Sequence, residues 1–219
     1  MVLNDVWRTI GKEVGFFYEG NFDDVPSVPG VYAWFYPLRL ISRSPEALQK
    51  IVTDVQALLN YDSLAEGPPT RDTELILTWW SWLLRAGRIP KPLVLSETLN
   101  QAWADVTAND EDFTDFQRSL LKASIFMPPL YVGKADDLRA RCGQHLTGAG
   151  DSNDFHRRFE HSARRLDLPL RYVHQLIFAC VRTGSGLNAE EEDGRPSTRV
   201  HELVEAIMKG ICAPPYGMR

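Results

Sequence analysis

Two short runs constrain what this chain can fold into. Gly30-Val31-Tyr32-Ala33-Trp34-Phe35-Tyr36 is aromatic and β-branched and lies between Pro29 and Pro37, and Pro129-Leu130-Tyr131-Val132-Gly133 has a similar character. Composition of this kind between breakers predicts strands. The runs are separated by a block of helical spacing and followed by further alternation of helical and strand-like stretches. An all-β domain is therefore disfavoured and a mixed α and β domain expected. The order after Pro29 is strand, helical insert, strand, helix, helix, strand, helix. With 219 residues and 44% hydrophobic content, the chain can fill one core and carry one sizeable insertion.

Residues 1–28 are expected as a lead-in helix or loop ending in the turn-rich DDVPSVPG. The insert begins with Ser44-Pro45-Glu46, a capping residue before Pro at the first helical position. Behind it Leu48, Ile51, Val52, Val55, Leu58 and Leu59 recur at helical spacing. EGPPT (66–70) breaks this helix, and a second holds Trp79, Trp80 and Trp82, which cannot all share one face. RIPKP (88–92) breaks the chain again, before helices from Ser96 to about Val106 and from Thr114 to Ile125. The expected division is a core of residues 1–42 and 127–219 around a helical insertion of 43–126. That insertion is acidic, with eight Lys/Arg against twelve Asp/Glu between Arg43 and Met127. Downstream, a helix opens at Asp136 or Asp137 and a second spans Asn153 to Leu166. A strand is expected over Leu170–Val181, a polar loop over 183–196, and a final helix from Arg199 to about Cys212.

Charge narrows the functional classes. The net charge is -5 and the pI about 5.6, whereas a protein gripping a long stretch of duplex is usually basic. Any nucleic-acid surface must be local, or a partner must supply the rest. Cys142, Cys180 and Cys212 are scattered, which argues for a reducing cytosol, no disulfide framework and no structural zinc. The longest apolar stretch, Leu75–Leu84, is about ten residues, half of the ~20 that span a bilayer. A soluble cytoplasmic protein without membrane partners is the expectation, and no secretory signal opens the chain.

Several residues carry chemistry by type and spacing. Arg141 and His145 lie one helical turn apart and so project together, with Leu138 and Cys142 on the buried side beside them. Arg139 points elsewhere and serves as a control. In the helix from Asn153, Phe155, Phe159, Ala163 and Leu166 line one face. Arg157, Arg158, His161, Arg164 and Arg165 cover the other. From Lys134 to Arg182 nine Lys/Arg stand against six Asp/Glu, a local basic stripe suited to phosphate backbone, although a merely solvated face is the bland alternative. In the last helix Val204, Ile207, Met208 and Ile211 form the expected apolar stripe. Glu205 flanks it, with Glu202 as competitor for any ligand role.

Four pieces of this order resemble one family. Pro29-Gly30-Val31-Tyr32 is similar to the first motif of GIY-YIG nucleases and Tyr131-Val132-Gly133-Lys134-Ala135 to the second. Leu138, Arg141 and His145 follow at the family's spacing, and Glu205 with Pro214 and Tyr216 resembles the terminal E…P-x-Y-N signature. The resemblance covers about 100 residues, about 29–36 and 128–217, with YVGKADDLRARCGQH its most specific block. Two departures stand out: roughly 95 residues separate the first two motifs, and Gly217 replaces the terminal Asn. A surface loop between paired strands tolerates a long insertion.

The resemblance implies an α+β fold: a small three-stranded, mostly antiparallel sheet flanked by helices, with the helical subdomain inserted after the first strand. It implies an endonuclease hydrolysing phosphodiester bonds with Mg²⁺ or Mn²⁺, DNA favoured, in a restriction or antiviral-defence setting. Glu205 would be the metal ligand, Arg141 the charge stabiliser and Tyr32 with His145 the base assembly. Tyr131 would position water or phosphate. Lys134, Arg157, His161, Arg164 and Arg165 would contact the nucleic acid, and the insertion could mediate a homo-oligomer or bind a protein partner. An RNA or branched-DNA nuclease is the first alternative. The second is a catalytically decayed scaffold, which Gly217 and the acidic balance motivate.

Overall fold

The computed structural model describes residues 13–40, 42–59, 96–150, 153–183, 198–212 and 214–216. The expected tryptophan helix, the polar loop beyond Thr183 and Gly217 lie outside them. The chain forms two compact units, one of Met1–Pro37 with Ser124–Arg219 and the other Leu38–Ala123.

The first unit is built on one antiparallel sheet. Its strands are β1 (Val14–Phe17), β2 (Gly30–Phe35), β3 (Tyr131–Ala135) and β4 (Ile177–Arg182), in the order β1-β4-β2-β3. The fold is α+β, but the sheet has four strands rather than the expected three. The extra strand, β1, is the sequence Val-Gly-Phe-Phe, too short and too Gly-broken to declare itself. Its strand state comes from the β4 ladder, Val14 opposite Val181 through Phe17 opposite Phe178. β4 in turn starts seven residues later than the expected Leu170. Leu168, Leu170, Val173 and Leu176 are buried as apolar anchors of an irregular segment rather than as strand residues. That segment closes on itself through Gln175, whose side-chain oxygen accepts from the Arg171 and Tyr172 N–H groups at 2.9 and 3.1 Å.

Cross-strand partners share a face. Tyr32 stands opposite Gly133 and Cys180, and Trp34 opposite Tyr131 and Phe178. This aromatic face packs against two helices, α4 (Leu138–Thr147) and α5 (Asn153–Arg165). Tyr32, Trp34, Phe178, Leu138, Phe155 and Phe159 are all buried to within 2% of full burial. Each contributes on the order of 1.5–3 kcal/mol from apolar burial, so this layer dominates the unit's stability.

The last helix, α6 (Thr198–Cys212), packs against β3 and β2. Its phase differs from the expectation. Ile207, Met208 and Ile211 are 49, 38 and 70% exposed, so three of the four residues of the expected stripe face outward and only Val204 is half-buried. Glu205 and Lys209 are the less exposed side chains, and they pair at 2.9 Å. Mutual neutralisation lets this charged pair occupy a partly buried position that either charge alone would resist.

The second unit's described helices are α1 (Pro45–Leu59), α2 (Glu97–Thr107) and α3 (Asp110–Ala123). Each opens on a side-chain cap: Ser44 Oγ accepts from the Ala47 N–H, Ser96 Oγ from Leu99 and Asn109 Oδ1 from Asp112. The Asn109 cap explains why α3 starts four residues before the expected Thr114. Trp103 packs edge-on against Phe113 and Phe116, and its indole N–H donates to the Arg43 carbonyl. No helix among the described residues is long and apolar enough to cross a membrane.

Candidate active site

The site is set by where α4 begins. Asp137 caps it, accepting from the Ala140 N–H at 2.9 Å and from the Ser27 hydroxyl. The Ser27 contact first, and the Ala140 N–H second, hold the Asp137 carboxyl below the usual carboxylate range. Leu138 N–H donates to the Val28 carbonyl at 3.0 Å. The loop before β2 is thus tied to the first turn of α4. The helix ends at Gly148, whose φ of 68° supplies the left-handed stop.

Arg141 and His145 then meet at one atom. His145 Nε2 lies 2.7 Å from Tyr32 Oη, and Arg141 Nε–H donates to the same oxygen at 3.1 Å. Arginine only donates, so Tyr32 accepts from it and directs its own proton to His145 Nε2. His145 is fully buried, boxed in by the rings of Tyr32, Trp34, Tyr131 and Phe155 at centroid distances of 5.3–5.9 Å. Burial, and next the positive charge of Arg141, lower its pKa to about 3, so the imidazole is neutral and its Nε2 is a hydrogen-bond acceptor for the Tyr32 hydroxyl. Burial also pushes the Tyr32 phenol up, which Arg141 partly opposes. Tyr36, just past the end of β2, has an ordinary structural role, its hydroxyl accepting from the Leu170 N–H at 3.3 Å.

Tyr131 completes the group from β3. Its ring stacks beside Tyr32 with centroids 6.0 Å apart, and its hydroxyl acts electrostatically on both Tyr32 and Arg141. The two rings meet over Gly133. A Cβ there would lie 2.5 Å from Tyr32 Oη and 2.8 Å from a Tyr131 ring carbon, so only glycine leaves room for the pair. Tyr131 is partly exposed whereas Tyr32 is buried, so Tyr131 and the half-buried Arg141 form the solvent side of the cluster.

Glu205 lies on α6. Its ion pair is with Lys209, and none joins it to Arg141. Lys134, at the end of β3, pairs with Glu202 at 2.7 Å. That contact first, with Glu205 and Asp136 adding to it, raises the Lys134 pKa. Carboxylates are hard oxygen donors suited to Mg²⁺ or Mn²⁺, and ammonium groups already occupy the cationic positions beside them. Among the described residues no three His, Cys, Asp or Glu side chains converge on one point. A cation there would have a single protein ligand, Glu205, for which Lys209 competes.

Tyr32, Tyr131, Arg141 and His145 thus form one cluster, whereas Glu205 and Lys134 belong to a separate ionic group on α6 and β3, Lys134 alternating to the sheet face opposite Tyr131 and Gly133. The chain matches no family model, no curated protein and no solved structure. Of the basic residues on α5, Arg157 pairs with Asp154 at 3.1 Å and Arg164 with Glu160 at 2.8 Å. His161 and Arg165 are exposed. Arg158 departs from the expected outer stripe. It turns inward, donating to the Tyr216 carbonyl at 2.5 Å and lying over the Tyr216 ring at 5.9 Å. Tyr216 N–H donates to the Leu130 carbonyl at 3.1 Å, so Arg158 anchors the terminal turn beside the start of β3. Arg139 is exposed as expected, yet its Nε donates to the Val25 carbonyl at 2.6 Å. Gly133 and Gln144 carry no signal of their own in the sequence, Gly133 lying inside a motif and Gln144 resembling any exposed helix amide.

Proposed function

We propose that this protein is a metal-dependent endonuclease that hydrolyses phosphodiester bonds, with DNA as the favoured substrate. The observation that supports this best is the junction at Tyr32 Oη, where a neutral imidazole at 2.7 Å and a guanidinium at 3.1 Å share one phenol. Such a phenol can pass a proton inward to His145 while Arg141 offsets negative charge beside it. His145 is too deeply buried to touch a substrate, so its part is to accept the Tyr32 proton rather than to take one from water directly. Tyr131, on the solvent side, would orient the attacking water or the phosphate. Arg141 would bind the phosphoryl oxygens, for which a planar, permanently charged fork is suited. Glu205 would hold the divalent cation, displacing Lys209, and the cation would supply charge neutralisation at the phosphate and the leaving oxygen.

The resemblance of these residues to the GIY-YIG motifs points the same way, and restriction or antiviral defence is the setting it suggests. The test is incubation of purified protein with plasmid and with RNA, with and without Mg²⁺ or Mn²⁺. Cation-dependent cutting of the plasmid, abolished by Glu205→Ala, is the expected result. Cutting of RNA alone would transfer the assignment to the ribonuclease alternative. Cutting unaffected by Glu205→Ala would remove that residue from the mechanism.

A further inference from the structure

Arg141 is held at two points, and the second has a consequence for substrate binding. While Nε reaches Tyr32, Nη1 donates to the side-chain oxygen of Gln144 at 3.0 Å, one turn further along α4. A guanidinium has no acceptor, so the amide must turn its oxygen to Arg141. Its nitrogen is thereby directed away from the guanidinium. Gln144 is exposed, and this nitrogen has no partner among the described residues. Two N–H donors therefore stand at the solvent side of the cluster, next to the guanidinium. Most exposed helix amides are free to rotate and present oxygen or nitrogen indifferently. Here the arginine fixes which end faces out.

We infer that Gln144 is a substrate-binding residue: its amide N–H groups and the Arg141 guanidinium form one donor edge for the non-bridging oxygens of a phosphodiester. The inference rests on the nuclease reading and adds a contact that reading lacks. It also separates the two residues by charge. Arg141 brings a cation and its release of counterions, whereas Gln144 brings only directed hydrogen bonds.

The experiment measures binding of a short fluorescent DNA duplex by anisotropy in EDTA, across a salt series, for wild type, Gln144→Met, Gln144→Glu and Arg141→Ala. Gln144→Met keeps the side chain's length and removes both donors. Its expected effect is an affinity loss of about three- to tenfold, the scale of one neutral hydrogen bond, with the salt slope unchanged. Gln144→Glu keeps the acceptor for Arg141 and puts negative charge where the donors were, so its loss should exceed tenfold. Arg141→Ala should lower both the affinity and the salt slope, the latter by about 0.9. Wild-type affinity in Gln144→Met, or in Gln144→Glu, overturns the inference and leaves the nuclease reading standing. A wild-type protein that neither binds nor cuts nucleic acid overturns both.

Discussion

Gly133 is where one residue's absence of side chain decides the site. An added Cβ would fall 2.5 Å from Tyr32 Oη, and overpacking of this kind costs about 1–3 kcal/mol. Gly133→Ala should therefore lower the melting temperature modestly and reduce cutting by more than tenfold; a variant as active as wild type would mean the phenol's position does not matter. A paired comparison separates structure from chemistry. Arg139→Ala loses the bond to the Val25 carbonyl, about 1 kcal/mol in urea unfolding, and should keep activity. Arg141→Ala should lose activity. His145 gives a pH signature. The folded imidazole has its pKa lowered to about 3 against an ordinary 6.5, so between those values the unfolded chain binds a proton that the folded one refuses. Stability should then rise with pH through that window and fall on acidification, by up to about 1.4 kcal/mol per pH unit. Urea midpoints at pH 7 and 5 should converge in His145→Gln relative to wild type. The spacing of Arg141 and His145 was legible because one helical turn enforces it. That Tyr32 is buried and Tyr131 partly exposed was not, since both are aromatic strand residues and only the helix packed above them tells them apart.

Among the elements, α4 matters most, because its cap, its stop and its inward face are all local. Asp137, Leu138 and Gly148 each declare themselves in sequence, and the helix lies where they place it. Asp137→Ala removes the cap and the Ser27 contact together, and loss of a cap costs about 0.5–2 kcal/mol. Because the same contacts tie the helix to the loop before β2, cutting should fall as well, and Asp137→Asn should rescue much of the stability. Thermal melting and cleavage rates on the two variants check this. β1 was illegible for the opposite reason: four residues with a glycine become a strand only when β4, more than 150 residues later, offers its edge. The phase of α6 failed similarly. An aliphatic row predicts a buried row, but the Glu205–Lys209 pair turns inward and the isoleucines face out.

At the scale of the whole molecule, an acidic chain keeps its proposed chemistry within one of two compact units. All of the clustered residues come from Met1–Pro37 and Ser124–Arg219, and β2 and β3 pair directly across the insertion. Replacing residues 38–123 by a short Gly/Ser linker should thus leave a folded protein that still cuts, with any change confined to substrate choice or assembly. Circular dichroism and a plasmid assay decide it, and an unfolded product would show that the insertion is needed for the core. The basic residues of α5 are largely matched by acids one turn back, which limits how long a stretch of nucleic acid this surface can hold. The most direct test of the central claim is the Mg²⁺-dependent cleavage rate of Tyr32→Phe, which deletes one oxygen and leaves the ring packing intact. A loss of at least about a hundredfold is expected, in the range of general acid–base effects, with a melting temperature lowered by only a few degrees as buried His145 Nε2 loses its donor. Cutting at the wild-type rate would contradict that claim.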